Sequence, residues 1–351
     1  MHPLVNRAIR SALQRGKSML RATRAGRSLL YDLNNRHEFT SLLSHERMLA
    51  DRVRVDAYHE AIRRHVHPGQ TVIDLGTGTG ILAMFAARQS RARVYALDHS
   101  DFLGVARRAA RHNGLDGIEF VKINSREFTP PQRVDLVIHE QIGDELLTEN
   151  MLDNLLDLKK RCLKPEGRIL PAVFELFLEP VQLRSGRRIP YLWEEPVHGL
   201  DFGILRNDRD AERFKPPDYD CYLLEPSAFE MLLCKPRPLL TFDLNRMDSP
   251  RQLGNHFRAR KTASRPGRMD GLALYFRVVF DQDLSFDTSP LSAVTHWRSR
   301  LFRVPARRLE TGESFEIELD LPDPTNIHSW RMRILESHHH ELSPQESATQ
   351  V

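Results

Sequence analysis

A glycine-rich turn is the part of this sequence whose residue types best suit ligand binding. Gly76, Gly78 and Gly80 follow an apolar run at residues 72–75, and a second apolar run at helical spacing comes next. Glycine adopts turn conformations that other residues avoid, and it lets backbone N–H groups approach a ligand. A strand, a glycine-rich turn and a helix in this order predict the opening unit of a nucleotide-binding α/β domain.

Two carboxylates accompany this turn. Asp74 lies at the end of the first predicted strand, and Asp98 ends the next apolar run, where a carboxylate can accept hydrogen bonds from both hydroxyls of a ribose. Ile81 stands where a dinucleotide fingerprint has its third glycine, so the spacing disfavours a dinucleotide. The pattern D-x-G-x-G-x-G resembles motif I of class I methyltransferases, which implies S-adenosylmethionine (SAM) as the cofactor. The alternative is a tight turn beside a solvated Asp98.

Two further acidic residues follow the fourth predicted strand, residues 134–138. Glu140 and Glu149 lie nine positions apart on either side of Gly143. Ligands of parallel sheets gather at the carboxyl ends of the strands, so we expect both glutamates to face a bound ligand. A solvated surface loop is the alternative interpretation.

The surrounding pattern predicts the elements that position these residues. Apolar runs at residues 118–121 and 134–138 alternate with a helical segment at residues 102–112, which predicts a Rossmann-like, doubly wound domain over residues 32–170. From residue 171 to residue 335 the period changes to two, which is typical of antiparallel strands with one buried face. The runs at 172–178, 272–280, 314–319 and 330–334 are the predicted strands.

A helix is predicted ahead of the glycine-rich turn, over residues 44–66, with Ser44 as its cap. Asp51, Arg54 and Tyr58 fall on one face of this helix. An ordinary salt bridge within the helix would explain the first two, and a contact with the ligand site is the functional alternative.

Four motifs in order resemble the protein arginine N-methyltransferases, between about residues 39 and 335. Glu140, Glu149, Gly143 and Met151 match the family's double-E loop. Residues 295–297 match its THW loop, residues 286–290 a segment of its β-barrel, and residues 45–54 its N-terminal helix. The resemblance implies a class I methyltransferase domain followed by an antiparallel β-barrel domain, with the active site between them.

The resemblance also implies a role for each site residue. The implied catalytic residues are Glu140, Glu149, His296 and Asp51. The implied cofactor-binding residues are His45, Met48, Arg54, Asp74, Gly76, Gly78, Gly80, Asp98 and Glu127. Met151 and Trp297 are implied to contact the substrate, and Met48 with Met151 accompanies monomethyl and asymmetric dimethyl products in the family.

The chemistry of a guanidinium explains why two carboxylates are needed. Its pKa lies above 12 and its lone pairs are delocalised, so it is a poor nucleophile. Two carboxylates paired with its planar fork would localise the positive charge and expose electron density on the reacting nitrogen. They would also aim that nitrogen at the methyl group, which is mainly a contribution of positioning.

Several positions depart from the family's pattern. Its Tyr-Phe-x-x-Tyr motif is missing, because residues 35–39 read Asn-Arg-His-Glu-Phe. Gln141 and Asp144 stand where the family has aromatic residues in the loop. Arg126 replaces the acid that usually reads the adenine, leaving Glu127 or backbone groups for that role. These departures concern the substrate pocket more than SAM binding.

Composition limits the classes of partner. The chain has 351 residues and a net charge of +4, but residues 1–31 contain seven Arg and Lys and no acid. Subtracting these seven from +4 leaves −3 for the rest, so a cationic substrate suits the body better than a nucleic acid. Residues 1–31 are predicted to be a polar arm, a targeting peptide for an organelle, or a helix that binds an acidic partner.

No run is long enough for a membrane span. Cys162, Cys221 and Cys234 lack metal or disulfide spacing, which favours a reducing cytoplasm. Residues 336–351, including His338 to His340, are predicted to be a disordered tail without a metal.

The leading hypothesis is therefore a SAM-dependent N-methyltransferase that acts on arginine in proteins. Free arginine or another guanidine-bearing small molecule is an alternative substrate, and an inactive scaffold is an alternative function. Residues 199–222 lie where the family inserts a dimerisation arm, so we expect a homodimer.

Overall fold

The computed structural model describes Gly26 and residues 41–89, 92–216 and 219–336. Apart from Gly26, the predictions for residues 1–31, for the motif at 35–39 and for the tail from residue 337 lie outside the described residues. The helices are α1 (Leu42–Ala50), α2 (Arg52–His65), α3 (Ile81–Arg88), α4 (Leu103–His112), α5 (Met151–Cys162) and α6 (Arg209–Glu212).

A five-stranded parallel sheet forms the first half of the chain. Its strands are β1 (Thr71–Leu75), β2 (Arg93–Asp98), β3 (Ile118–Lys122), β4 (Val134–His139) and β5 (Leu163–Leu170). They lie in the order β3-β2-β1-β4-β5 and all neighbours are parallel, which confirms the predicted Rossmann-like domain. The strand order reverses between β1 and β4, and ligands of such sheets bind in the crevice at that point. The glycine-rich turn follows β1, and Glu140 follows β4.

Two antiparallel sheets form the second half, and pairing changes from parallel to antiparallel after Leu170. The larger sheet contains β6 (Val173–Leu183), β7 (Cys221–Leu224), β8 (Phe229–Leu232), β9 (Leu240–Asp243), β11 (Gly267–Val279), β12 (Ser285–Asp287) and β13 (Ser299–Leu309). The smaller one contains β10 (His256–Thr262), β14 (Ser314–Asp320) and β15 (Arg331–Glu336). The predicted antiparallel strands are confirmed. The strand pairs among the described residues do not close into a ring, so the barrel stays a prediction.

The segment ahead of β1 differs from the predicted single helix. It forms two helices, α1 and α2, which are separated at Asp51. α1 begins at Leu42 after Ser41, so Ser44 lies within the helix and does not cap it. The Asp51 carboxylate caps α2, where its Oδ1 accepts a hydrogen bond of 3.1 Å from the Arg54 backbone N–H. The break thereby frees the second oxygen of Asp51 for a partner outside the helix.

One continuous core joins the two halves of the chain. Buried apolar residues of the parallel sheet and of the antiparallel sheets belong to a single cluster. Tyr58 of α2 lies at the junction, with its ring 5.0 Å from that of Phe280 and its hydroxyl donating to the carbonyl of His139, 2.9 Å away. α2 is therefore fixed against the end of β4, where the candidate site begins.

The segment at residues 199–222 contains a 3-10 helix (Gly203–Asn207), the short helix α6 and the start of β7. Three large apolar side chains in it are exposed: Leu200 by 66%, Ile204 by 86% and Phe214 by 85%. Within the described part of the chain, no helix combines the length and apolar content that crossing a membrane requires.

Candidate active site

The glycine-rich turn has the backbone conformation that its sequence predicts. Gly76, Gly78 and Gly80 have φ angles of +71°, +50° and +80°, in the left-handed region that other residues avoid. A Cβ added to Gly78 would also lie 3.1 Å from Cε1 of His45. The turn therefore requires glycine for its conformation and, at Gly78, for the close approach of α1.

Asp74 stabilises this turn through hydrogen bonds to its side chain. Its Oδ2 accepts hydrogen bonds from the Thr77 hydroxyl at 2.5 Å and from the Ala83 backbone N–H at 3.0 Å. Burial raises the pKa of the Asp74 carboxyl to about 7, against the opposing effect of these hydrogen bonds. Asp74 does not line the cavities described next, so the structure gives it a positioning role where direct cofactor contact was predicted.

Two adjoining cavities open at the crevice between β1 and β4. The first has an empty volume of about 810 Å³, which includes space open to solvent, and it reaches from the turn to both glutamates. The second has about 460 Å³ and lies over the ends of β2 and β3. Residues that line both are Gly76, Asp98, His99 and Gln141. The shape suits an elongated ligand that passes over the turn.

Asp98 stands at the boundary of the two cavities. Its Oδ2 accepts a hydrogen bond from the Gly78 N–H at 2.9 Å, and its Oδ1 accepts one from the Ser100 N–H at 2.8 Å. Each carboxylate oxygen has a second lone pair, so the group retains acceptor capacity toward the cavity.

Helices α1 and α2 supply the opposite wall of the first cavity. His45, Met48 and Arg54 line it, and the His45 ring stacks on Phe102 at 3.8 Å. Arg54 donates from Nη1 to Glu140 Oε2 at 2.9 Å and from Nη2 to the Met48 carbonyl at 2.7 Å. Its buried Nε has no hydrogen-bond partner among the described residues. A buried guanidinium with an unpaired N–H is suited to an anionic group that enters the cavity.

Glu140 and Glu149 both line the first cavity, as their position after β4 predicted. Burial raises the pKa of Glu140, while the positive charge of Arg54 opposes the rise. Arg54 was predicted to bind the cofactor, and the structure adds Glu140 as its partner within the chain. The same guanidinium therefore contacts one catalytic candidate and the cofactor cavity.

The loop between the two glutamates is held by a close approach within it and by two contacts from elsewhere in the chain. A Cβ on Gly143 would lie 2.0 Å from the Thr148 hydroxyl oxygen, so only glycine fits there. Trp297 donates from Nε1 to the Ile142 carbonyl at 2.7 Å, and Arg300 forms an ion pair with the buried Glu145. Both of these contacts come from the antiparallel half of the chain.

His296 contacts Asp51, and both are among the catalytic residues that the resemblance implied. The His296 backbone N–H donates to Asp51 Oδ2 at 2.9 Å, and its ring Nδ1 lies 2.8 Å from the same oxygen. Burial would raise the pKa of Asp51, but hydrogen bonds from His296 and Arg54 outweigh this effect and lower it. An ionised carboxylate can only accept, so in the neutral ring Nδ1 carries the hydrogen and Nε2 of His296 is the acceptor nitrogen.

Three residues predicted to bind a ligand are placed elsewhere. Trp297 is 1% exposed and packs on Phe276 and Phe286, so its ring belongs to the core and not to a substrate pocket. Met151 is fully buried at the start of α5. Glu127 is exposed and lies outside both cavities formed by the described residues, because Arg126 takes the cavity-lining position.

Other residues of the site were not singled out as binding residues from the sequence. Arg126, Asn124 and Asn154 line the second cavity, and Gln141 lines both. Asn154 comes from α5, far from the strand ends in sequence, and carries no local motif. The signal for Arg126 was its position in the turn that follows β3, one residue before Glu127, where an acid was expected from the resemblance.

Comparison with known proteins identifies relatives of this chain. A family model described as a methyltransferase domain matches residues 72–167. Protein arginine N-methyltransferase 6 of Xenopus laevis is 29% identical over 313 residues, which cover 85% of this chain and 88% of that protein. Protein arginine N-methyltransferase 2 of Xenopus tropicalis is 30% identical over 281 residues, covering 75% of this chain and 62% of that protein.

The fold has the same relatives. A solved structure, the PRMT1 enzyme-prozyme heterotetrameric complex of Trypanosoma brucei with AdoHcy, matches with a TM-score of 0.72 at 24% identity. The match covers 86% of this chain and 96% of that one. The motifs, the placement of both glutamates and these similarities lead to one assignment: the chain belongs to the protein arginine N-methyltransferase family of class I methyltransferases.

Proposed function

We propose that this chain transfers a methyl group from SAM to the guanidinium of arginine residues in proteins. The observation that carries the proposal is a single cavity lined by the glycine-rich turn at one end and by Glu140 and Glu149 at the other. Cofactor and acceptor would meet in this cavity, at the reversal of strand order between β1 and β4.

The described residues fit the parts of SAM. Asp98 has acceptor capacity for the ribose hydroxyls, and the unpaired Nε–H of Arg54 suits the carboxylate of the aminoacyl group. The second cavity has room for the base. SAM would supply the electrophilic methyl group, and Asp74 would act indirectly by holding the turn.

In the proposed mechanism the two glutamates bind and orient the substrate guanidinium. Glu140 is held by Arg54, which favours its ionised form against the effect of burial. The pair localises the positive charge and aims the reacting nitrogen. The new C–N bond would form as the S–CH₃ bond of SAM breaks and S-adenosylhomocysteine leaves, and the methylated nitrogen, which is then more acidic, would lose a proton. His296 is the proposed acceptor or brace, with Nε2 available because Asp51 holds Nδ1–H.

The proposal also covers the domain boundaries and the location of the protein. Residues 32–170 would form the SAM domain, and the two antiparallel sheets of residues 171–335 would form a barrel-like substrate domain. A cytoplasmic location is supported by Cys162, Cys221 and Cys234, which are buried and form no disulfide bonds with one another. The alternative substrates are free arginine and other small guanidines.

Cofactor binding can be tested at Asp98. We expect calorimetry to detect S-adenosylhomocysteine binding, and Asp98→Ala to weaken it by about 10- to 100-fold, the equivalent of ~1.5–3 kcal/mol for hydrogen bonds to a charged group. Asp116→Ala, an exposed acid after α4, is the matched control. Absence of binding to the folded wild-type protein would contradict the proposed function.

The acceptor can be identified with radiolabelled SAM. We expect label in arginine residues of protein substrates in a cell lysate and in arginine-containing peptides, and less label in free arginine. Label found only in free arginine or in another small guanidine would replace the protein substrate in this proposal. Label in no guanidine compound would leave the scaffold hypothesis.

The arm at residues 199–222 is proposed to form a homodimer, because its apolar side chains are exposed. Ile204→Asp places a charge at the most exposed of them, so we expect the mass in light scattering to fall from dimer to monomer at about ten micromolar. Leu291→Asp, an exposed apolar residue outside the arm, is the control. A wild-type monomer, or a dimer that Ile204→Asp leaves intact, would contradict this use of the arm.

A further inference from the structure

The wall of the second cavity contains a chain of three hydrogen-bonded side chains. Arg126 donates from Nη2 to Oδ1 of Asn154 at 3.1 Å, and Asn154 donates from Nδ2 to Oε1 of Gln141 at 3.2 Å. All three residues line the cavity, and Asn154 is buried. This row of hydrogen bonds runs from the turn after β3, past α5, to the residue that follows Glu140.

Arg126 fixes the direction of this chain. A guanidinium has only N–H donors, so Asn154 must present its oxygen to Arg126 and its NH₂ to Gln141. Gln141 must then present its own oxygen to Asn154, which leaves its NH₂ for the cavity. Nε2 of Gln141 lies 3.9 Å from the position of a Cβ on Gly76, so this NH₂ lies beside the glycine-rich turn. The wall is therefore a row of donors, and its order is set by one residue.

The acceptors of the same region already have partners. Asn124 Oδ1 accepts from the Arg126 N–H at 3.1 Å, and the Asn124 carbonyl accepts from the Glu127 N–H at 2.9 Å. The Ser125 carbonyl accepts from Nη2 of Arg161 at 2.8 Å. The carboxylate that lines the second cavity is Asp98, which the glycine-rich turn engages. The base end of this cavity thus carries a guanidinium and an amide NH₂ as donors, while each of these acceptor oxygens already holds one hydrogen bond.

A 6-amino purine presents N–H donors at position 6, and a carboxylate is the complementary partner for them. A 6-oxo purine presents an acceptor there, for which a guanidinium is complementary. We propose that Arg126 determines base specificity and allows the cavity to bind a 6-oxo purine nucleoside as well as the 6-amino form. This inference rests on the proposed function, because it places the base of the cofactor in the second cavity.

The test compares two probes, S-adenosylhomocysteine and its 6-oxo analogue S-inosylhomocysteine, by calorimetry on the full chain. For the wild-type protein we expect the two dissociation constants to agree within about threefold, or to favour the 6-oxo probe. Arg126→Glu restores a carboxylate, so we expect it to shift the ratio by about tenfold or more toward the 6-amino probe, the effect of about one hydrogen bond to a charged group. Arg111→Glu, an exposed residue of α4, makes the same change in charge away from the cavity and should leave the ratio unchanged.

A wild-type preference of more than about threefold for the 6-amino probe would overturn the inference and leave the proposed function intact. A ratio that Arg126→Glu does not move would do the same. Should Arg126→Glu not fold in thermal unfolding, Arg126→Gln takes its place, because an amide both donates and accepts and should shift the ratio in the same direction. Binding of neither probe to the folded wild-type chain would remove the proposed function and this inference together.

Discussion

Glu140→Gln and Glu149→Gln should each lower kcat by about 10²- to 10³-fold or more, which corresponds to ~3–5 kcal/mol of transition-state stabilisation. Glutamine keeps the size and most of the hydrogen bonding of glutamate but removes its charge. Both residues line the cavity that we assign to the substrate guanidinium, and one charge-assisted contact with that group would be lost. Single-turnover kinetics with a peptide substrate and saturating SAM measures the effect.

The affinity for S-adenosylhomocysteine should change far less in both variants, because the glycine-rich turn and Asp98 are unaltered. Glu166→Gln, an exposed glutamate of β5, is the control for loss of one negative charge. His296→Ala should cost less than either glutamate variant when His296 only braces the loop, and as much when it accepts the proton. Near-normal turnover in both glutamine variants would refute the arginine assignment, leaving a methyltransferase with another acceptor.

Arg54→Gln should reduce kcat/KM by about 10²- to 10³-fold at neutral pH, because it breaks a buried ion pair and removes the proposed partner of the cofactor carboxylate. The variant also changes the pH profile. Burial raises the pKa of Glu140 and the charge of Arg54 opposes this, so removing Arg54 raises that pKa further. Glu140 must be ionised to bind a guanidinium, and the acidic limb of the kcat/KM profile should therefore move to higher pH.

Arg52→Gln is the matched control for this variant, since Arg52 begins the same helix and is exposed. A loss that is only structural would lower the whole pH profile without moving its acidic limb. That result would show that Arg54 does not control the ionisation of Glu140.

The local parts of the site were predictable from the sequence. The glycine-rich turn needs positive φ angles at Gly76, Gly78 and Gly80, and that requirement is visible in the residue types alone. Glu140 is placed by the end of β4, an apolar run with clear limits. Such features depend on residues that are near one another in the chain, so pattern and spacing specify them.

Features that depend on distant residues were not predictable in the same way. The break between α1 and α2 interrupts a continuous helical pattern, and it is stabilised by His296, which lies 245 positions from Asp51. Trp297 was expected at the substrate, but Phe276 and Phe286 provide a buried site for its ring. Its side chain acts on the loop through the Ile142 carbonyl, a contact that no local motif encodes.

Strands rich in charge were also missed. β10 and β13 carry several Arg and Lys residues and were not among the predicted strands. Their charged side chains are largely exposed or paired across the sheet, as for Arg258 with Glu316. Pairing with neighbouring strands therefore outweighs their low apolar content.

The contacts from Trp297 and Arg300 to the loop of the two glutamates bear on how this enzyme can be divided or recombined. The loop is encoded with the parallel sheet, but the groups that fix its shape are encoded about 155 residues later. The catalytic unit is thus shared between the two halves and is not a portable module. A chimera that joins the first half to the second half of a relative inherits a working loop only when the partners of Ile142 and Glu145 are transferred with it.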